Sequence, residues 1–162
     1  MKNKEFIRII EKRIRKHARL NKLFKKHDRI LVKGSINKYL VPRIIKGLPC
    51  RIYYKKPKKD RINKIVITWT LDDEINQFLQ YVFTGKKAKE NKLYVKILKP
   101  ITDREAARFA KIKGLGFKPN KKNKAIQEFI GKMTEHYPDT KYKLFKSREL
   151  FECIKKSWNC AN

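Results

Sequence analysis

Acidic residues are scarce in this chain. Its 162 residues hold 15 Asp+Glu against 44 Lys+Arg, a formal charge of +29. An excess of one sign repels itself in the compact state and is relieved by a polyanionic partner. Heat adaptation raises Lys and Glu together, so it would explain the charged fraction but not the imbalance. Long apolar runs are missing too. None approaches the roughly 20 residues that span a bilayer, so a membrane partner is the weakest of the polyanions. Met1-Lys2-Asn3-Lys4-Glu5 lacks the apolar core of a secretion signal, and the expected location is cytoplasmic. Cysteine is confined to Cys50, Cys153 and Cys160. An odd number at irregular spacing is no disulfide framework, there is no CxxC pair for zinc, and nothing supports pairing Cys153 with Cys160. His17, His27 and His136 are scattered and read as solvated surface residues. No metal site and no Ser/His/Asp or Cys/His grouping is expected.

Hydrophobic residues make up 41% of the chain, a globular proportion, so the charge sits on a folded body rather than a loose tail. The length suits a single domain. Within it the pattern suggests a basic N-terminal helix (1–27), a core (28–115) and a C-terminal helical part (116–162).

Residues 4 to 26 read as a helix with Phe6, Ile10, Ile14 and Leu20 on one face. Ile30-Leu31-Val32 and Ile65-Val66-Ile67 look like buried parallel strands. Cys50 to Tyr54 and Tyr94 to Leu98 are further strand candidates. A helix is expected over 39–46, with Pro42 near its start, where a missing N–H is tolerated. Thr70 is a natural N-cap for a helix to about Phe83, and Thr102-Asp103-Arg104-Glu105 is a capping box for one ending near Lys113. Helices follow over 125–136 and from Ser147 towards Trp158. Strands separated by helices point to a parallel α/β sheet.

Three basic clusters stand out: Arg8, Lys12, Arg15, Lys16, Arg19 and Lys22; Lys55, Lys56, Lys58, Lys59 and Arg61; and Lys118, Lys121, Lys122 and Lys124. The first recurs at spacings that keep several cations on one side of a helix. This is the electrostatic footprint of nucleic-acid binding. No helix-turn-helix, zinc finger, basic zipper or stacking pattern of an RRM is evident.

The chain resembles a known family in order along its length. Glu11-Lys12-Arg13-Ile14-Arg15-Lys16, Asp28-Arg29-Ile30-Leu31-Val32, Leu71-Asp72-Asp73-Glu74, Lys99-Pro100-Ile101 and the run EAARFAKIKGL from Glu105 to Leu115 carry the likeness. It resumes from Ile126 to Phe145, with Tyr137-Pro138 and Lys141-Tyr142-Lys143-Leu144. Together these look like the archaeal-type tRNA 2-thiolation enzymes of the PP-loop (N-type) ATP pyrophosphatases. The resemblance implies an α/β fold with a reduced parallel, Rossmann-like sheet and flanking helices, of the adenine nucleotide alpha-hydrolase type. It also implies RNA rather than DNA as the partner.

Members of that family follow their first strand with a phosphate loop of pattern SGGKDS. Here the stretch is Ser35-Ile36-Asn37-Lys38-Tyr39-Leu40, in which only Ser35 and Lys38 match. Branched Ile36 does not readily take backbone conformations that glycine permits. The CxxC and later cysteine of the family have no counterpart at Lys55–Lys64 or Gly116–Lys121, and its zinc-finger domains have none in these residues. Asp72 and Asp73 carry two readings: nucleotide or Mg²⁺ contact, as the resemblance implies, or acids that complement the dipole of a helix start. The damaged loop favours the second. Ser35, Lys38, Asp72 and Asp73 are therefore expected to form at most a vestigial nucleotide site. The expected protein is a non-catalytic binder of structured RNA, with tRNA or rRNA as partner, in a ribosome-associated setting or beside a complete PP-loop protein. No cofactor is expected. The alternative is a thiolation enzyme or its subunit, which would use ATP and Mg²⁺.

Overall fold

The apolar run at residues 30–32 has too few polar atoms for either face of a strand to meet water, and it lies at the centre of a sheet. In a computed structural model, which describes residues 2–86 and 91–160 and the side chains up to Ile154, β1 (Arg29–Val32) is flanked by β2 (Arg51–Tyr53) and β3 (Lys64–Val66). Strand β4 (Tyr94–Val95) completes a sheet of order β2-β1-β3-β4, all parallel. Ile30 pairs with Ile52 on one side and Lys64 on the other. Residues 96–98, expected to extend β4, leave the sheet in a turn, with Ile97 and Leu98 fully buried. Their apolar character reports burial rather than strand.

The chain packs as two compact units, Met1–Thr70 with Glu90–Asn120 and Leu71–Lys89 with Lys121–Asn162. The segments expected at 28–115 and 116–162 thus interleave. The first unit holds the sheet with α1 (Asn3–Leu20), α2 (Ser35–Ile44) and α4 (Asp103–Lys113). Phe6, Ile10, Ile14 and Ala18 of α1 are buried at the spacing of one helix face. The first three join Ile30, Val32, Ile36, Leu40, Val41 and Phe109 in one core. The Thr102 capping box is complete, and Gly114 ends α4 in the left-handed conformation. Glu105 of that box also binds Arg13 of α1 at 2.5 Å, and Arg13 reaches Pro100 O at 2.6 Å.

Helix α1 stops at Leu20, short of the expected 26, because Lys22 and His27 adopt positive φ (47° and 65°), which an α-helix does not contain. His17 is half-buried and its Nε2 lies 3.3 Å from Lys96 O, so it is not simply a solvated residue. Helix α2 starts at Ser35, four residues before the expected point, which places Pro42 inside it.

The second unit comprises α3 (Leu71–Thr84), α5 (Lys124–His136) and α6 (Thr140–Cys160) around Leu71, Ile75, Leu79, Ile126 and Ile130. Helix α6 begins at Thr140 rather than Ser147, and the Thr140 hydroxyl donates to Tyr137 O at 2.6 Å. Among the described residues no helix is long and apolar enough to cross a membrane. The Cys160 side chain lies outside the described residues, so the reading of Cys153 and Cys160 extends only to Cys153, which is exposed and free.

Candidate nucleic-acid interface

The apolar stripe of α1 fixes where its cations go. With Phe6, Ile10 and Ile14 turned into the core, Arg8, Lys12, Arg15, Lys16 and Arg19 of α1 are all exposed, as is Lys22 in the turn beyond the helix, where helical spacing no longer places it. They border a groove of about 700 Å³ whose floor is apolar: Ala18, Phe24, Ile44 and Leu48. A second cavity, of about 640 Å³, shares Arg8, Glu11 and Arg15 with the first and continues the groove to Tyr39, Arg43, Lys46 and Lys113. One acid, Glu11, lines these cavities, and it accepts from Arg15 at 3.1 Å. The result is a cationic channel with apolar ground, carried by α1, α2 and the end of α4.

Lys4, Arg43, Lys46 and Lys113 belong to this channel although charge patterning on α1 alone did not point to them. Tyr39 and Arg43 stand four residues apart and share a face of α2, as they also would on the helix expected over 39–46. That spacing was the available signal.

The second cluster is displayed beyond β2. Tyr53 donates its hydroxyl to the Asp60 carboxylate, closing the intervening basic loop. This bond and burial push the Tyr53 phenol above its ordinary pKa, outweighing the opposing effect of Arg51. Lys55, Lys56, Lys58, Lys59 and Arg61 are exposed, as is Tyr54 beside Lys55. In the third cluster Lys118, Lys121 and Lys124 are exposed. Lys122 differs: its side chain is 7% exposed and it binds Asp73 at 2.9 Å.

Asp72 and Asp73 lie in the second unit, in the first turn of α3, and both are buried. Asp73 holds Lys122, Asp72 holds Lys141 at 2.5 Å, and neighbouring Glu74 holds Arg148 at 2.9 Å. Three consecutive acids thereby tie α3 to α6 and to the segment before α5. A buried carboxylate needs such a partner, because desolvating it alone costs several kcal/mol.

Ser35 and Lys38 lie in the first unit, at the carboxyl end of β1. Open α/β sheets bind ligands at this edge. A cavity of about 450 Å³ persists there, lined by Gly34, Ser35, Ile36, Thr68, Gly116, Phe117 and Lys118. The loop itself is packed. Gly34 has φ 87° and lies so close to Thr68 Oγ1 that a Cβ would collide with it. Ile36 is 2% exposed, and the buried Asn37 amide donates to Lys33 O at 2.7 Å and Thr68 Oγ1 at 3.4 Å. Lys38 Nζ is 5.9 Å from the centre of the Tyr54 ring.

No family model and no curated protein sequence matches the chain. Among solved structures it superposes on the U34-tRNA thiolase NcsA from Methanococcus maripaludis, solved with its 4Fe-4S cluster. The TM-score is 0.66 at 13% identity, over 90% of this chain and 78% of the thiolase. The fold is PP-loop-like. The expected α/β class and parallel sheet agree with it, whereas identity this low speaks of fold alone.

The described residues of this chain do not fit such a cluster. Iron–sulfur clusters are held by several cysteine thiolates together. Among the described side chains the thiols are Cys50 in one unit and Cys153 in the other, and no group of three or more His, Cys, Asp or Glu is placed to hold a metal. Cys50 Sγ instead donates to Lys25 O at 3.2 Å, and burial pushes its thiol above the ordinary pKa.

Proposed function

We propose that this chain is an RNA-binding protein that uses a PP-loop-like fold as scaffold and performs no chemistry on the RNA. The observation that carries the reading is the channel of α1 and α2, where exposed Lys and Arg side chains of these helices, with half-buried Lys113 of α4, line a groove with one acid. Phosphates are the fitting anions, because repeated cations about 6 Å apart along a helix track a repeated charge better than a single ion. Affinity on this basis comes mainly from the backbone and depends little on sequence. Between tRNA and rRNA, the likeness to a U34-tRNA thiolase favours tRNA. A degenerate phosphate loop suits this role: Ile36 and Asn37 fill space that backbone N–H groups need if they are to surround phosphate. ATP is not required.

Crosslinking in native cells, followed by sequencing of the attached RNA, tests the proposal. Reads concentrated in tRNAs support it, reads at one rRNA site replace tRNA by the ribosome, and an absence of RNA refutes it. The enzymatic alternative, a thiolation enzyme or a subunit of one, is favoured by one observation, the cavity beside Ser35. ATP binding at millimolar concentration that is lost in Lys38→Ala would support that alternative, and no binding would count against it.

A further inference from the structure

The geometry points to a nucleobase platform in the channel, formed by the Arg43 guanidinium on the Tyr39 ring, which takes an unpaired base of the bound RNA. This rests on the RNA-binding reading and specifies what kind of RNA the channel accepts.

Arg43 is not a loose surface cation. Its Cζ lies 3.7 Å from the centre of the Tyr39 ring, and its Nη1 donates to Tyr39 O at 2.6 Å. The ring is itself held by the core, edge-on to the fully buried Phe109 at 6.0 Å. Lys113 Nζ stands 5.1 Å from the same ring centre. The planar group is thus fixed before any ligand arrives, while the residue remains exposed and lines the groove. Pre-organisation of this kind lowers the ordering penalty on binding. Arginine planes and aromatic rings are the surfaces on which unstacked bases settle.

The floor of the channel argues for the same ligand. Phosphate alone gains nothing from Ile7, Phe24, Ile44 or Leu48, since apolar surface rewards only apolar or planar partners. A duplex keeps its base faces stacked inside and offers phosphates outside. A single-stranded segment, or a loop of a folded RNA, offers both a chain of phosphates for α1 and a free base for Arg43.

The test uses the full chain, a fluorescent single-stranded oligoadenylate carrying one 2-aminopurine, and the matching duplex. Arg43→Lys keeps the charge and removes the plane. The expected result is tighter binding of the single strand than of the duplex, quenching of 2-aminopurine on binding, and a loss of about tenfold in single-strand affinity in Arg43→Lys, the scale of one stacked base. Duplex affinity should stay within about twofold in that variant, because the charge remains. Equal loss for both probes, an unchanged single-strand affinity, or a preference for the duplex would overturn the platform and leave the electrostatic reading standing. Failure of the unsubstituted chain to bind either probe at low salt would remove the RNA-binding reading and the platform with it.

Discussion

Neutralising Lys12, Lys16 and Arg19 together should strip about half of the electrostatic binding from α1. All three are exposed, and their choice spares Arg15, which is bound to Glu11. Glutamine is the replacement of choice, because it removes charge while keeping a high helix propensity. If each of the six exposed α1 cations neutralises one phosphate of a single strand, log K falls against log salt with a slope of about −4, and the triple variant lowers this to about −2. Extrapolated from about 1 M salt, where counterion release ends, the loss at about 150 mM is about 50-fold. That corresponds to about 2.3 kcal/mol. Fluorescence anisotropy with a labelled RNA across a salt series measures both quantities. Thermal unfolding is the control, since surface substitutions of this kind shift stability by about 0.5 kcal/mol or less. An unchanged slope, with affinity within twofold, would refute the placement of the phosphate path on α1.

Arg148→Met should destabilise the chain by about 3–5 kcal/mol in urea unfolding, because it removes a charge partner of Glu74, which is 1% exposed. Adding Glu74→Leu should recover much of that loss, and no recovery would show that the pair is not the cause. Gly34→Ala should cost about 1–3 kcal/mol, since alanine resists φ 87° and its Cβ meets Thr68 Oγ1; a neutral result would exclude the packed loop. Alkylation mapped by mass spectrometry should find Cys50 slower than Cys153 near pH 8. The thiolate is the reactive form, and burial raises the Cys50 pKa, so its rate should rise only at a pH above that of an ordinary thiol. Equal rates at that pH would contradict the half-buried setting of Cys50.

Regular elements with local causes were legible in the sequence. The Thr102 box, the Gly114 stop and the α1 stripe of Phe6, Ile10 and Ile14 each depend on residues within a turn or two and stand where periodicity puts them, whereas Leu20, expected on that stripe, ends the helix and is 66% exposed. The wholly apolar runs near Ile30 and Ile65 correctly announced a parallel sheet; the first is buried throughout, while in the second Val66 is buried and Ile65 and Ile67 are half-buried. What failed was decided at a distance. The end of α1 turns on positive φ at Lys22 and His27, where neither residue type signals it. The run to Leu98 is apolar because it is buried, yet burial alone does not distinguish strand from turn. The channel was half legible. Its α1 wall follows from helical spacing, but Arg43, Lys46 and Lys113 join it only through the packing of α2 and α4.

The acids explain how a modest number of carboxylates leaves so basic a surface. Helical position alone made Asp72, Asp73 and Glu74 a dipole-complementing turn, and the family likeness made the first two nucleotide ligands. Their partners Lys122, Lys141 and Arg148 lie some 50 to 75 residues along the chain, beyond the reach of any local pattern. Glu105 and Asp28 behave similarly, holding Arg13 and Lys64. Each of these carboxylates fastens one element to another. Of the two acids on α1, Glu5 is exposed in the first turn, and Glu11, which lines the channel, is bound by Arg15. The carboxylates that fasten elements thus hold half-buried cations, whereas exposed Glu5, Glu128, Glu135, Asp139 and Glu149 are outnumbered at the surface by lysine and arginine.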